Sequence, residues 1–456
     1  MTSAKGEQYR SASSALFSKP WFWVLLPALA ALILYLSTAQ MHINGSNHPY
    51  ATDVGEIQNA LPRWGTIHHS SYPLYTAAGS LFVTLLGWAG VGPAAGSSIF
   101  SALFGAITIG LIVLLALETG ISGPPAAVGA LAVAVSTSIW VDASVAEVHT
   151  VTLAFSVATL LLAMRFGRTG TRNDLLLLTL FFTQAVAHQR SAILLAPAVL
   201  ILIWPHWRNV FNHITAVILI TLLAPLTYLY LPLRAWMGAD WIFGDPGSWE
   251  GFWTLFFDNR ADRIFEMQNN LAAWWNRLYQ SLKLLDDDLA WPLLLIGLSA
   301  LAGMIFDKDK RRYGAALTSV WIINLLLAVL IWRGQVEDAQ LAAKLPVVIM
   351  AGIGLAYFLD WLKQRWRRMS VVATIFLILI LTGWAWRARN FTLSITRDQS
   401  VESIITIVDR IEPFNDGRTT TITTPWGRDF WGLTYAQAYR DQRQGLNLVD
   451  HNANPR

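Results

Sequence analysis

The stretch TDVGEIQNALPRWGTIHHSSYPLY, Thr52–Tyr75, follows closely on the first apolar run of the chain and decides how the rest is read. It carries Asp53 and Glu56 three residues apart, then His68 and His69, then the turn Ser70-Ser71-Tyr72-Pro73. Just before it, Trp21–Ala39 is apolar over nearly the length that crosses a bilayer. Lys5, Arg10 and Lys19 precede that run and predict a cytoplasmic N-terminus over residues 1–20, with the opening loop, 40–96, outside. No small-residue cleavage site follows the run, so it reads as a retained anchor and not a signal peptide. A loop rich in ionisable groups thus stands beside a membrane anchor.

Composition agrees with the anchor. Of 456 residues, 54% are hydrophobic and only 14% charged, against about 25% charged in soluble domains, and the mean hydropathy is +0.43. This is a polytopic membrane protein by composition. The net charge of +4 resides largely in short loops between apolar runs, which is orientation charge and not a nucleic-acid footprint. With no cysteine, disulfides and thiolate metal sites are excluded.

Loop charge sets the threading. The basic loops RFGRTGTR (Arg165–Arg172), PHWRN (Pro205–Asn209), DKDKRR (Asp307–Arg312) and KQRWRR (Lys363–Arg368) should all be cytoplasmic. Counting back from Arg165 through Thr150–Met164, Pro124–Trp140 and Ser97–Leu117 leaves no crossing for Pro73–Gly90. That segment, with Thr76, Ser80, Thr84 and Gly87 on one stripe, is expected to lie in the interface. The later spans are Asp174–Ala187, Ala192–Trp204, Ile214–Leu231, Leu289–Phe306, Ala315–Trp332, Leu345–Trp361 and Val371–Trp386. The expectation is an all-α transmembrane domain over 21–389 with eleven crossings and one interfacial helix. Arg387 and Arg389 then fall outside, against the charge rule. A Trp-rich external loop, 233–288, should carry surface helices. In the tail, 390–456, SVESIITIVDRI reads as helix, TTTITTP as strand, WGLTYAQAYRDQ as helix and LNLVD as strand, a small external α/β appendage.

The spans are nearly free of ionisable residues, which gather at the external ends: Asp53, Glu56, His68, His69, Asp142, Glu147, His149, His188, Arg190, Arg234, Asp240, Asp245, Arg260 and Asp338. A transporter more often places such charges at mid-membrane; an enzyme acting on a lipid-borne substrate would place them here. Asp53 and Glu56, at i and i+3, share a helical face. One could serve as general base for an acceptor hydroxyl while the other tunes or assists it; the spacing alone favours a helix cap. His68 and His69 cannot both face one site from a regular helix, and no third ligand stands at metal-site spacing, so no metal is expected. Glu147 in SVAEVH is either a helix-start carboxylate or a sugar-hydroxyl ligand. His188 and Arg190 interrupt an apolar stretch, and Arg234 follows a span, where it either snorkels or grips a phosphate.

In order along the chain, DVGEIQNALPRWGTIHHSSYPLY, SVAEVH, AVAHQRSAILLAPA, YLYLPLRAWMGADWIFGDP and EDAQLAAKLPVVI resemble the landmarks of the protein O-mannosyltransferase-like membrane family, within the GT-C glycosyltransferase superfamily. The similarity runs from about Asp53 to Asp360. The family reads Gly-Asp-Ser-Gly-Glu and then His-Pro-Pro-Gly-Tyr-Pro-Leu-Tyr; this chain keeps both acids, one His and Tyr-Pro-Leu-Tyr but replaces the Pro-Pro-Gly. The resemblance implies inverting transfer of a sugar such as mannose from a polyprenyl-phosphate donor to a hydroxyl of a protein or glycan acceptor. It implies Asp53 as base with Glu56 beside it, and His68, His69, His188, Arg190 and Arg234 on the donor phosphate and lipid. Tyr72, Glu147, Trp241, Asp245 and Asp338 would contact substrate. Membrane lipid is the medium, the site is extracytoplasmic, and no cofactor is implied beyond the lipid-linked co-substrate. The competing readings are a flippase for lipid-linked sugars, and a transferase that modifies lipid or envelope glycan.

Overall fold

The computed structural model describes residues 19–69, 71–257, 270–330, 336–411, 420–442 and 445–450, with backbone alone for 336–345. Pro20 opens α1 (Pro20–Thr38), a first-turn position where the missing N–H is not needed. The opening loop holds α2 (Val54–Ala60) and leads into α3 (Pro73–Trp88). The bundle continues through α4 (Pro93–Glu118), α5 (Gly123–Ala134), α6 (Thr137–Asp142), α7 (His149–Thr169) and α8 (Arg172–His188). Next come α9 (Arg190–Asn212), α10 (Ile214–Trp236) and the shorter α11 (Trp249–Phe257). Then follow α12 (Leu271–Asp288), α13 (Trp291–Phe306), α14 (Arg311–Leu330), α15 (Val336–Arg365) and α16 (Arg367–Thr396).

Among the described residues, eight helices are long and apolar enough to cross a membrane: α1, α4, α7, α9, α10, α14, α15 and α16. The protein is a multi-pass membrane protein. These eight match eight of the eleven expected crossings. The other three fall on shorter or broken helices: α5 has 12 residues, α8 has 17, and α13 meets α12 at 103°. Taking that bent pair as one span gives nine.

Helix α3 is not among the spans. Its Thr76, Gly79 and Ser80 are buried against the protein, while Leu81, Leu85 and Trp88 are exposed. Thr76 and Ser80 of the polar stripe thus turn inward and the apolar side chains outward, while Gly87 is exposed. At the α12–α13 corner each carboxylate of Asp286-Asp287-Asp288 has its own task. Asp286 accepts from the Trp291 N–H at 3.0 Å, Asp287 pairs with Arg387 at 2.8 Å, and Asp288 accepts from the Ser138 N–H. Arg387, the charge-rule exception, is thereby matched.

Close packing at the bundle centre depends on glycine. A Cβ on Gly129 of α5 would lie 2.3 Å from the Gly352 carbonyl of α15, so the two backbones touch directly. Buried bonds then fix the loop that carries Glu147. The Trp140 indole N–H donates to Thr38 Oγ1 at 2.8 Å, and Thr38 and Ser144 share a hydroxyl contact at 2.9 Å.

After α16 come α17 (Val401–Asp409), β1 (Thr420–Thr424), α18 (Arg428–Tyr439) and β2 (Leu446–Asp450). All four are the elements expected in the tail. The strands pair in parallel, Thr420 with Leu446 through Thr424 with Asp450. A parallel pair needs a crossover, and α18 supplies it.

Candidate active site

A buried amide network positions α2. The Asn44 N–H donates to Gln58 Oε1 at 2.8 Å, Gln58 Nε2 donates to Gln40 Oε1 at 3.1 Å, and Gln40 Nε2 donates to Asn44 Oδ1 at 3.1 Å. Asp53 precedes the first helical residue, yet its side chain makes no capping bond. The cap that the spacing alone favoured is absent. Instead the carboxylate, 41% exposed, lies 3.4 Å from His68 Nε2.

Glu56 holds the other side of that imidazole. Its Oε1 accepts the His68 backbone N–H at 2.8 Å and its Oε2 lies 2.7 Å from Nδ1. Both oxygens are engaged and the residue is 1% exposed, so Glu56 holds the His68 ring in place. Burial acts to lower the His68 pKa, but the carboxylates of Asp53 and Glu56 override it and push it up to about 10. Burial raises the Glu56 pKa, opposed by His68.

A second acid–histidine group adjoins the first. Asp142 Oδ2 lies 3.1 Å from His149 Nδ1, and Glu147 Oε1 lies 3.8 Å from the same nitrogen. Burial pushes the Glu147 pKa up to about 7; His149 opposes this, and the Asp142 and Asp53 carboxylates reinforce it. The dependence on Asp53 shows that the two groups share one electrostatic environment. The sequence reading counted Asp142 and His149 among the external charges but gave them no role. They sit on α6 and α7, across a break in the helix, so no spacing rule pairs them.

The remaining expected residues divide. Tyr72 stands between His68 and His188, with ring centroids 6.0 and 5.2 Å away. His188 is buried, and its Nε2 lies 3.2 Å from the Val148 carbonyl. Arg190 donates to the Ala187 carbonyl at 3.0 Å, the Tyr228 hydroxyl at 2.8 Å and the Phe256 carbonyl at 2.5 Å. Its guanidinium fastens α11 to the bundle. Arg234 donates through Nε to the Trp64 carbonyl at 2.6 Å. These bonds brace loops against the bundle. His69 lies edge-on to Phe243, in a wall of rings with Trp241, Trp426 and Phe430. Asp245 is exposed, and its carbonyl opens the turn into α11. The side chain of Asp338, and Ser70 and Arg260, lie outside the described residues.

The C-terminal unit closes one flank. Asn59 Nδ2 donates to the Trp431 carbonyl at 3.0 Å, and Arg63 Nη2 to the Thr434 carbonyl at 3.1 Å. Trp431 packs so closely on α2 that a Cβ on Gly55 would lie 2.9 Å from its ring, which accounts for the glycine between the two acids. Ser71, at the glycine position of the family pattern, has φ +63°.

Asp53, Glu56 and His68 each offer a ligand atom, all within 4.8 Å of one another. The fold thus supplies the third ligand that linear spacing lacks, and the two oxygens and one nitrogen suit a borderline divalent cation.

Residues 53–210 match the family model described as the Protein O-mannosyl-transferase TMEM260 N-terminal domain. The mouse (Mus musculus) Protein O-mannosyl-transferase TMEM260 is 22% identical over 325 residues, 67% of this chain and 46% of that protein. The chain therefore spans about half the length of the curated relative it matches. ArnT from Cupriavidus metallidurans, solved with undecaprenyl phosphate, superposes at a TM-score of 0.60 with 13% identity, over 94% of this chain and 86% of that one. The oligosaccharyltransferase AglB from Archaeoglobus fulgidus, solved with an inhibitory peptide and a dolichol-phosphate, gives 0.51 at 11% identity, over 90% and 63%. The chain thus shares the fold of ArnT and AglB, the fold that the opening motif implied.

Proposed function

We propose that this GT-C chain transfers a sugar, mannose being the leading candidate, from a polyprenyl-phosphate carrier to a hydroxyl of a protein acceptor on the extracytoplasmic face. The observation that carries the reading is the Asp53 carboxylate. It is accessible, free of any capping duty, and set against an imidazole that Glu56 locks in place. Asp53 takes the proton of the acceptor hydroxyl as its oxygen attacks the anomeric carbon. The bond from that carbon to the carrier phosphate breaks, its electron pair leaves on the phosphate oxygen, and configuration inverts. Glu56 and His68 position Asp53. Asp53, Glu56 and His68 would hold a divalent cation, which would supply Lewis-acid polarisation of the acceptor hydroxyl.

The test is Asp53→Asn in full-length protein supplied with polyprenyl-phosphate mannose and a Ser/Thr peptide. Turnover should fall by about 10² to 10⁴ while donor binding persists. Retained transport of the carrier with no transfer by the wild type would favour the flippase reading instead. Transfer only to lipid or glycan would replace the protein acceptor.

A further inference from the structure

Helix α11, WEGFWTLFF, carries more aromatic rings than its packing on the bundle uses. The helical period divides its residues among three sides. Leu255, with Phe252 and Phe256 beside it, packs into a small core with Tyr228 and Leu231 of α10. Trp249, Trp253 and Phe257, at i, i+4 and i+8, form a ladder on a second side. The Trp249 and Trp253 ring centroids are 5.4 Å apart, and those of Trp253 and Phe257 5.3 Å. Trp249 is 79% and Phe257 64% exposed. Glu250 and Thr254 make the third side, and Glu250 is exposed.

The ladder continues a surface that faces lipid. On α10, a helix of membrane-crossing length, Leu226, Leu229, Leu233 and Trp236 are each more than half exposed and recur at the spacing of one helical face. Such a stripe on a spanning helix faces hydrocarbon, and a Trp at its end marks the aromatic belt at the lipid–water boundary. The turn that leads into α11 is packed on that end. The Trp236 indole N–H donates to the Gly247 carbonyl at 3.0 Å, and a Cβ on Gly247 would lie 3.3 Å from Ala235 Cβ. Trp249 follows two residues later. Arg190 fastens the far end of α11 through the Phe256 carbonyl. Held at both ends, α11 keeps its ladder turned outward.

We infer that α11 is an interfacial anchor whose Trp249–Trp253–Phe257 ladder is seated in the bilayer leaflet on the Asp53 side, with Glu250 and Thr254 among the headgroups. Its partner is the lipid surface itself. A short helix with aromatic rings on one side and a charge on the next suits that boundary, where the rings meet acyl chains and the indole N–H groups stay within reach of water. The Arg190 clamp joins α11 to the turn after His188, so the depth of this seat fixes the height of the neighbouring loop over the bilayer. This seating is independent of the transfer chemistry proposed above.

The chain has no cysteine, so single cysteines carrying a nitroxide report depth in full-length protein reconstituted into phosphatidylcholine vesicles. Labels at Trp249→Cys and Phe257→Cys should collide with dissolved oxygen in preference to a water-soluble nickel chelate, at a depth of about 5–10 Å into the headgroup–acyl boundary. Glu250→Cys should show the reverse preference, as should Thr421→Cys on the exposed side of β1. Leu229→Cys on α10 supplies the lipid reference. If Phe257→Cys fails to fold, the contrast between the Trp249 and Glu250 labels decides. Nickel access at Trp249 and Phe257 equal to that at Thr421 would leave the ladder in water and overturn the anchor. Exclusion of both oxygen and nickel there would overturn it as well, by showing a protein cover, and dipolar broadening between labels would identify that cover as a second copy of this chain.

Discussion

Replacing Glu56 by Gln keeps the shape of the side chain and removes its charge. In the native protein both Glu56 oxygens face donors of His68, at 2.8 and 2.7 Å. A Gln amide offers one carbonyl oxygen, so one of those donors must meet an NH₂ group. Burial already works against the imidazolium, and Asp53 and Glu56 together hold its pKa at about 10. Loss of one nearby opposite charge should lower it by about 1 to 3 pH units. The sign for stability follows. A histidine raised above its ordinary 6.5 stabilises the fold fully below that pH, and the contribution fades as pH climbs through about 10. Glu56→Gln should bring the upper edge of that window down and cost about 1.5–3 kcal/mol, the worth of a hydrogen bond to a charged group. Titration of labelled histidines by NMR in chelator-treated detergent solution reads the shift directly. If the His68 resonance titrates in the variant as in the wild type, Glu56 does not hold that imidazole and the positioning role is wrong.

Other perturbations probe the same loop. Ser71→Gly removes a side chain from a left-handed residue and a buried hydroxyl that has no partner among the described residues. Relief of about 1–2 kcal/mol of backbone strain, less about 0.5–1 for glycine's freedom in the unfolded chain, should slow amide exchange around residues 71–76 several-fold; faster exchange there would contradict the strain. Gly55→Val should press a branched side chain into Trp431 and loosen the C-terminal unit, seen as faster proteolytic cleavage between α16 and α18, whereas an unchanged digest would mean that the contact is dispensable. Glu147, raised to about 7, stabilises most while protonated, and this contribution is lost as pH rises through that value. Glu147→Gln should therefore melt higher than wild type at pH 8 and lose the advantage below about pH 4.5; a variant that melts lower at pH 8 would refute it.

The membrane class, the tail elements and the grouping of Asp53, Glu56 and His68 in one loop were legible because each rests on local pattern. Apolar run length, charge in short loops, and two acids followed by a histidine are all visible without knowing what touches what. The span count was less legible, since bilayer length alone does not reveal a corner such as the one Asp286–Asp288 builds at the end of α12. The bracing bonds of Arg190 and Arg234 were not legible for a related reason. A guanidinium near a headgroup region and one that ties down a neighbouring loop look alike in sequence, and only the Phe256 and Trp64 carbonyls distinguish them. Asp142 with His149 is a pairing across a helix break that no periodicity foretells.

The contacts of Asn59 with Trp431 and of Arg63 with Thr434 join residues more than 370 positions apart. In biosynthesis the loop bearing Asp53 is made long before its partner α18. Closure of that long loop is slow relative to local helix formation. The loop bearing Asp53 must therefore wait, already threaded, until α18 has emerged before its flank is sealed. A ribosome that stalls after α16 would leave a membrane-inserted bundle whose acidic loop stands open on that side.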